Sequence, residues 1–238
     1  MRFSLLGIPV SVRPAFWLVG VLLGAPRDFS PDQLTRLGVW MVILFVSILV
    51  HELGHAFAMR AVGRTPRIEL WGMGGLTHWG DGPRVSGWKR AGVSVAGPFA
   101  GFALAVPIVI AWVAAGPADG TLAHEAIWMG LWINVGWGAL NLLPILPLDG
   151  GHVMEVALAG TLGARGPRIA RYVSIALAVG VAVLALQYDG MQFAALLAFF
   201  FAFQNVRQLG APATDGAIPA RAEIDPELAR ALDEAWSA

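Results

Sequence analysis

Cysteine is absent from this chain of 238 residues, which excludes disulfides and cysteine-ligated metal sites and leaves the redox compartment open. Charge is scarce as well. Asp, Glu, Lys and Arg make up 13% of the residues, against roughly 25% in an ordinary soluble domain. The 16 basic and 16 acidic side chains cancel, so nothing draws the chain as a whole toward nucleic acid. No internal repeat is visible. What is present in quantity is apolar: 57% hydrophobic residues and a mean hydropathy of +0.65. These proportions describe a polytopic membrane protein.

The apolar runs divide the chain. Residues 1–13 alternate in a strand-like way through Ile8, Val10 and Val12 and lead into Pro14. A signal peptide is the competing reading, but Arg13-Pro14 interrupts the run and no small-residue cleavage pattern follows, so the segment is expected to stay. A short first span, TM1, covers about residues 14–25, with a loop to Leu37. TM2 covers about 37–61, TM3 about 90–114 and TM4 about 123–143. A short helix over about 149–162 precedes TM5 (about 168–187) and TM6 (about 191–207). Between TM2 and TM3, Arg67–Trp71 and Leu76–Trp79 read as a β-hairpin around Gly72, Gly74 and Gly75. Trp71, Trp79 and Trp88 suit headgroup level, and a plain surface loop is equally compatible. Residues 1–208 therefore form the membrane domain. The tail, 209–238, carries Asp225-Pro226-Glu227, a good helix start, ahead of an apolar face of Leu228, Leu232 and Trp236.

TM2 holds the chemistry. Its first half is apolar, and then His51-Glu52-Leu53-Gly54-His55 arrives in the same helical run. Histidines four apart stand one above the other on a helix face, about 6 Å apart along the axis. Two imidazoles so placed can bind one zinc ion, with Glu52 beside the water that fills an open position. The bland alternative is a chance pentapeptide whose histidines are hydrogen-bonded in a buried helix. Ionisable groups at membrane depth favour function.

A catalytic zinc needs a third protein ligand. Asp149 follows Pro144 and Pro147, which break the helix at membrane depth, and it begins a helix whose N-terminus stabilises a carboxylate. Glu155 and His152 lie close behind and could compete; His152 reads better as a supporting or interfacial residue, and His78 as a loop residue. Gly150 and Gly151 would admit a partner helix. On TM3, Gly97 and Gly101 form a GxxxG face that reads as packing alone.

With His51-Glu52-Leu53-Gly54-His55, then Ala96-Gly97-Pro98, then Asn141…Pro147-Leu148-Asp149-Gly150 in that order, residues 1–208 resemble the site-2 protease family of intramembrane zinc metalloproteases. The resemblance implies one Zn2+ per chain held by His51, His55 and Asp149, with Glu52 as catalytic base. It implies that Asn141 holds substrate backbone, and that the hairpin bearing Gly74 and Gly75 is a re-entrant β element offering an edge to an extended substrate. The fold class expected is then an all-α polytopic membrane protein of about six transmembrane helices, with a broken TM4 and that short hairpin between TM2 and TM3. The substrate implied is a single-pass membrane protein, for this family often a membrane-tethered transcription regulator, in contact with the lipid bilayer and not with nucleic acid. One departure stands out: the family's Asn-Pro appears here as Asn141-Leu142-Leu143-Pro144. A tail of this length leaves no room for a PDZ or CBS domain. The rival readings are a metal transporter or sensor using the same ligands, and a family member without proteolytic activity.

Six spans place the N-terminus, the 60–90 and 163–171 connections and the C-terminus on one side. That side carries all the Lys and Arg except Arg27 and Arg36. Such asymmetry makes it cytoplasmic, in a prokaryotic inner membrane. A fluorescent reporter fused to the C-terminus is expected to be active and a periplasmic-type phosphatase fusion inactive; the reverse result would mean an odd number of spans.

Overall fold

The computed structural model describes residues 1–26 and 28–209. The tail helix expected from Asp225 lies outside these residues. The chain opens with β1 (Arg2–Leu5) and β2 (Ile8–Val12), followed by α1 (Pro14–Leu23) and α2 (Pro31–Ala61). A hairpin of β3 (Arg67–Trp71) and β4 (Gly74–His78) leads to α3 (Gly87–Ala115). Next, α4 (Leu122–Leu131) runs through a π-helical stretch, Trp132–Trp137, into α5 (Gly138–Asn141). The last helices are α6 (Asp149–Leu162), α7 (Gly166–Ala185) and α8 (Gln192–Leu209). Pro31–Ala61, Gly87–Ala115 and the stretch Asp149–Ala185 are each long and apolar enough to cross a membrane.

The all-α expectation is corrected by a four-stranded sheet in the order β1-β2-β3-β4. β1 and β2 are antiparallel, β2 and β3 parallel, and β3 and β4 antiparallel. A parallel pair needs a crossover, and α1 with α2 supplies it, a pairing that local pattern cannot announce. Ile8, Val10, Val12, Ile68 and Leu70 are buried in one core with Phe16, Leu44, Leu49 and Ala56. The sheet therefore packs its apolar face on α1 and α2, which fixes the hairpin over the HELGH turn. On the other face Glu69 reaches Arg13 (2.6 Å) and His78 (3.3 Å), so His78 closes β4 and is not a loop residue.

Two boundaries and one packing contact differ from expectation. α2 starts at Pro31 and not near Leu37, because Pro31 and Asp32 make a sound first turn that lies beyond the apolar stretch. Leu70 pairs with Gly75 and Trp71 with Gly74, which leaves a two-residue loop, Gly72-Met73, and starts β4 two residues before Leu76. The atoms nearest to Gly150 and Gly151 belong to the preceding turn and not to a partner helix. A Cβ at Gly150 would come within 2.6 Å of Leu143 O, and one at Gly151 within 2.6 Å of Ile145 O, so both lie against the turn that precedes them.

That turn, residues 142–148, is irregular backbone, and α7 and α8 satisfy it. Ser174 Oγ accepts from Leu146 N–H at 2.9 Å, and Asn205 Nδ2 donates to Leu146 O at 2.6 Å. Both side chains are buried among apolar residues, where an unpaired backbone group is costly. The two helices come close enough because their contact faces are small: Ala170, Ser174, Ala178 and Ala182 on α7, and Ala195, Ala198 and Ala202 on α8, are buried. Asn205→Leu removes the donor and is expected to cost about 1–3 kcal/mol. Thermal unfolding in detergent should show a clear fall for Asn205→Leu and none for Val206→Leu, a neighbouring exposed position.

Candidate active site

His51, Glu52 and His55 follow from one helix, and the rest of the molecule decides what they meet. α3 brings the carbonyl of Val93 to 2.9 Å from His55 Nδ1. A carbonyl only accepts, so Nδ1 carries the proton and Nε2 presents a lone pair. The Nε2 atoms of His51 and His55 lie 3.1 Å apart. Asp149, first residue of α6, places Oδ2 at 3.3 Å from His51 Nε2 and Oδ1 at 3.3 Å from His55 Nε2. Lone pairs from three side chains thus converge on one point. A tetrahedral ion with donors at about 2.0–2.1 Å keeps them about 3.3–3.4 Å apart, so the donor set fits zinc in both chemistry and spacing. Glu155 and His152, the competitors for the third position, do not reach the imidazoles. They pair loosely with each other at 3.9 Å.

Glu52 stands beside this set; its ligand atom and those of the two histidines all lie within 4.8 Å of one another. Its carboxylate is buried under β4, where Thr77 Oγ1 donates to Oε2 at 2.6 Å. A Cβ at Gly75 would overlap the Glu52 side chain, so glycine is what lets the strand lie here. Gly74 is different. Its φ is +116°, a conformation that favours glycine, and a Cβ there would meet nothing; both glycines line the cleft beside the cluster. Asn141 closes another side, with Nδ2 at 3.5 Å from His51 Nε2.

Gly97 reads in the sequence as packing alone, and the structure corrects this. A Cβ on it would sit 2.5 Å from His55 Cε1 and 2.8 Å from His51 Nε2, so its missing side chain is the space the imidazoles occupy. Gly101, its GxxxG partner, faces another neighbour, the Asn134 carbonyl on the π-helical stretch. Asn134 Nδ2 donates to Ser47 Oγ and to Gly130 O, both at 2.8 Å, tying that stretch to α2 one turn before His51. Sequence reading missed Thr77, Ser47 and the Val93 carbonyl. Thr77 was reachable, since it shares a strand face with Gly75, but only once the register was known.

An open cleft of about 2430 Å³ leads to this cluster. Pro147 and Leu148 line it, as do Arg64, Arg67 and Arg84. Arg64 also ties down the connection after β4 by donating to the Trp79, Gly80, Gly82 and Pro83 carbonyls.

The profile of peptidase family M50 matches residues 39–121 and 115–187. The zinc metalloprotease MJ0392 of Methanocaldococcus jannaschii is 26% identical over 162 residues, covering 68% of this chain and 46% of that protein. Rip3 of Mycobacterium tuberculosis is 32% identical over 173 residues, covering 68% and 44%. The chain thus spans less than half the length of these curated relatives. The solved site-2 protease from Methanocaldococcus jannaschii shares the fold, with a TM-score of 0.61 at 24% identity over 89% of this chain and 96% of that one. Because the profile takes in more than half of the chain, including the helices that bring His51, His55 and Asp149 together, the chain belongs to peptidase family M50, the site-2 protease family.

Proposed function

We propose that this protein is an intramembrane zinc metalloprotease, hydrolysing a peptide bond in or near the transmembrane segment of a membrane-tethered protein. The observation that carries the reading is the meeting of His51 Nε2, His55 Nε2 and the Asp149 carboxylate at 3.1–3.3 Å, with Glu52 alongside, among apolar helices. His51, His55 and Asp149 hold one zinc per chain, which when bound polarises the scissile carbonyl and activates water. Glu52 takes the proton from that water on its carboxylate and returns it to the leaving nitrogen. Asn141 steadies substrate backbone through its amide. A transmembrane helix hides its peptide bonds in internal hydrogen bonds, so the substrate unwinds locally and pairs with a strand. β4, outermost in the sheet and carrying Gly74 and Gly75, is the edge that receives it.

The chain crosses the membrane six times in this reading, through α1, α2, α3, the α4–α5 run, α7 and α8, with TM4 broken after Asn141. Both termini are cytoplasmic, in a prokaryotic inner membrane. Two contacts support the sidedness. The shared sheet keeps the N-terminus and the α2–α3 connection at one end, and Arg36 pairs with Glu125 near the start of α4 at the other. Half-exposed Trp71, Met73 and Leu76 support a hairpin that dips into the bilayer. The substrate is a single-pass membrane protein of the kind that tethers a transcription regulator.

Two variants test the roles. Glu52→Gln preserves shape and removes the base, so cleavage of a substrate helix carrying a helix-breaking residue should fall by about 10²–10⁴. Its zinc content should remain near that of the native protein. Asp149→Asn keeps a good helix start but offers a neutral, weaker ligand. It should lose most bound zinc and activity while staying folded. Full metal occupancy in that variant would move the third ligand elsewhere. Native protein that holds zinc yet cuts no such helix, with Glu52→Gln indistinguishable from it, would remove the proteolytic reading.

A further inference from the structure

Strand β4 touches Glu52 twice. Residues two apart on a strand share a face, so Gly75 and Thr77 both look toward α2. Gly75 leaves room for the glutamate side chain, and Thr77 supplies a hydrogen-bond donor to it. Thr77 Oγ1 lies 2.6 Å from Glu52 Oε2 and 3.1 Å from the Glu52 main-chain oxygen. A hydroxyl has one hydrogen to give. The shorter contact takes it, at the length of an O–H···O⁻ bond to an ionised carboxylate. Both partners are buried, Thr77 with 9% and Glu52 with 5% of its surface exposed, so water does not compete for the bond. Among the described residues nothing donates to the other oxygen, Oε1.

We infer that Thr77 is the positioning residue of the Glu52 base: its hydroxyl holds Oε2 and keeps Oε1 free to accept the proton. The inference rests on the proteolytic reading of the site. A glutamate side chain has three rotatable bonds, and unpinned it would spend much of its time in rotamers that miss the reacting water. Thr77 removes that freedom from a strand whose own backbone is set by its pairing to β3. The outer edge of β4 is also the edge proposed to receive the substrate. One rigid element then sets both where the scissile bond lies and where the base sits, with no loop between them.

The test compares the full-length, zinc-loaded native protein with Thr77→Val, Thr77→Ala and Thr77→Ser. Cleavage of a helix-broken substrate segment is measured in detergent, with kcat and KM separated, alongside zinc per chain and thermal unfolding. Thr77→Val keeps the β-branch and loses the donor; Thr77→Ala covers the case in which valine does not pack. Both are expected to lower kcat about tenfold or more. KM and zinc content should stay native, and Thr77→Ser should recover most of the rate. Native kcat in Thr77→Val and Thr77→Ala would overturn the inference. So would a loss that falls on KM or zinc content, or a Thr77→Ser variant no better than Thr77→Ala, since these mark a packing role. Zinc-loaded native protein that cuts no such helix is a separate outcome, which overturns the proteolytic reading and this inference with it.

Discussion

Ionisable groups set among apolar helices must find partners inside the protein, and most of this molecule can be traced to that constraint. A lone carboxylate at the depth of Asp149 would be costly. Placed 3.3 Å from two imidazole nitrogens, it becomes part of a donor set whose charge a divalent cation offsets. His55 in turn is oriented by the Val93 carbonyl, and Glu52 by Thr77. The cluster is thus assembled from several elements: α3 orients one histidine, β4 holds the glutamate, and α6 supplies the aspartate.

Close approach is the second requirement, and absent side chains meet it. Gly97 lets α3 lie against both imidazoles, and Gly54 admits the Ala96 carbonyl and the Ala100 methyl from the same helix. Gly75 allows β4 to cover the glutamate, while Gly150 and Gly151 allow α6 to start directly over the preceding turn. In lipid, where burying apolar surface gains little, contact at van der Waals distance and interhelical hydrogen bonds hold helices together. The Ser47–Asn134 bond and the small faces of α7 and α8 are the same solution used away from the site.

The backbone between Asn141 and Asp149 has a comparable problem. Pro144 and Pro147 remove donors and forbid a continuous helix, yet the turn lies within the helix stack. Ser174 and Asn205 bond to Leu146 from α7 and α8, so helices that supply no side chain to the metal cluster still decide where Asp149 begins its helix. Through Pro147 and Leu148 the same turn also lines the cleft beside the cluster. One irregular segment therefore both draws on the outer helices for support and forms part of the cleft wall.

Much of this could be read without coordinates. Apolar runs set the helices, the i, i+4 spacing set the two histidines on one face, and Asp149 after two prolines stood out as a carboxylate in the wrong medium. These signals are local, carried within a turn or two of chain, and so survive in a linear reading. The parallel pairing of β2 with β3 is not local: Val10 and Ile68 are joined across two helices, and no pattern within either strand names its partner. For that reason the sheet, the early start of β4, and Thr77 over Glu52 belonged to the tertiary structure alone. The same holds for Gly97, whose role depends on which helix face α2 turns toward it, and for Ser174 and Asn205, ordinary residues until a distant turn needs a hydrogen bond. Residue types and their spacing determined which groups could do chemistry; only packing determined which of them meet, because that depends on distances between segments far apart in the chain.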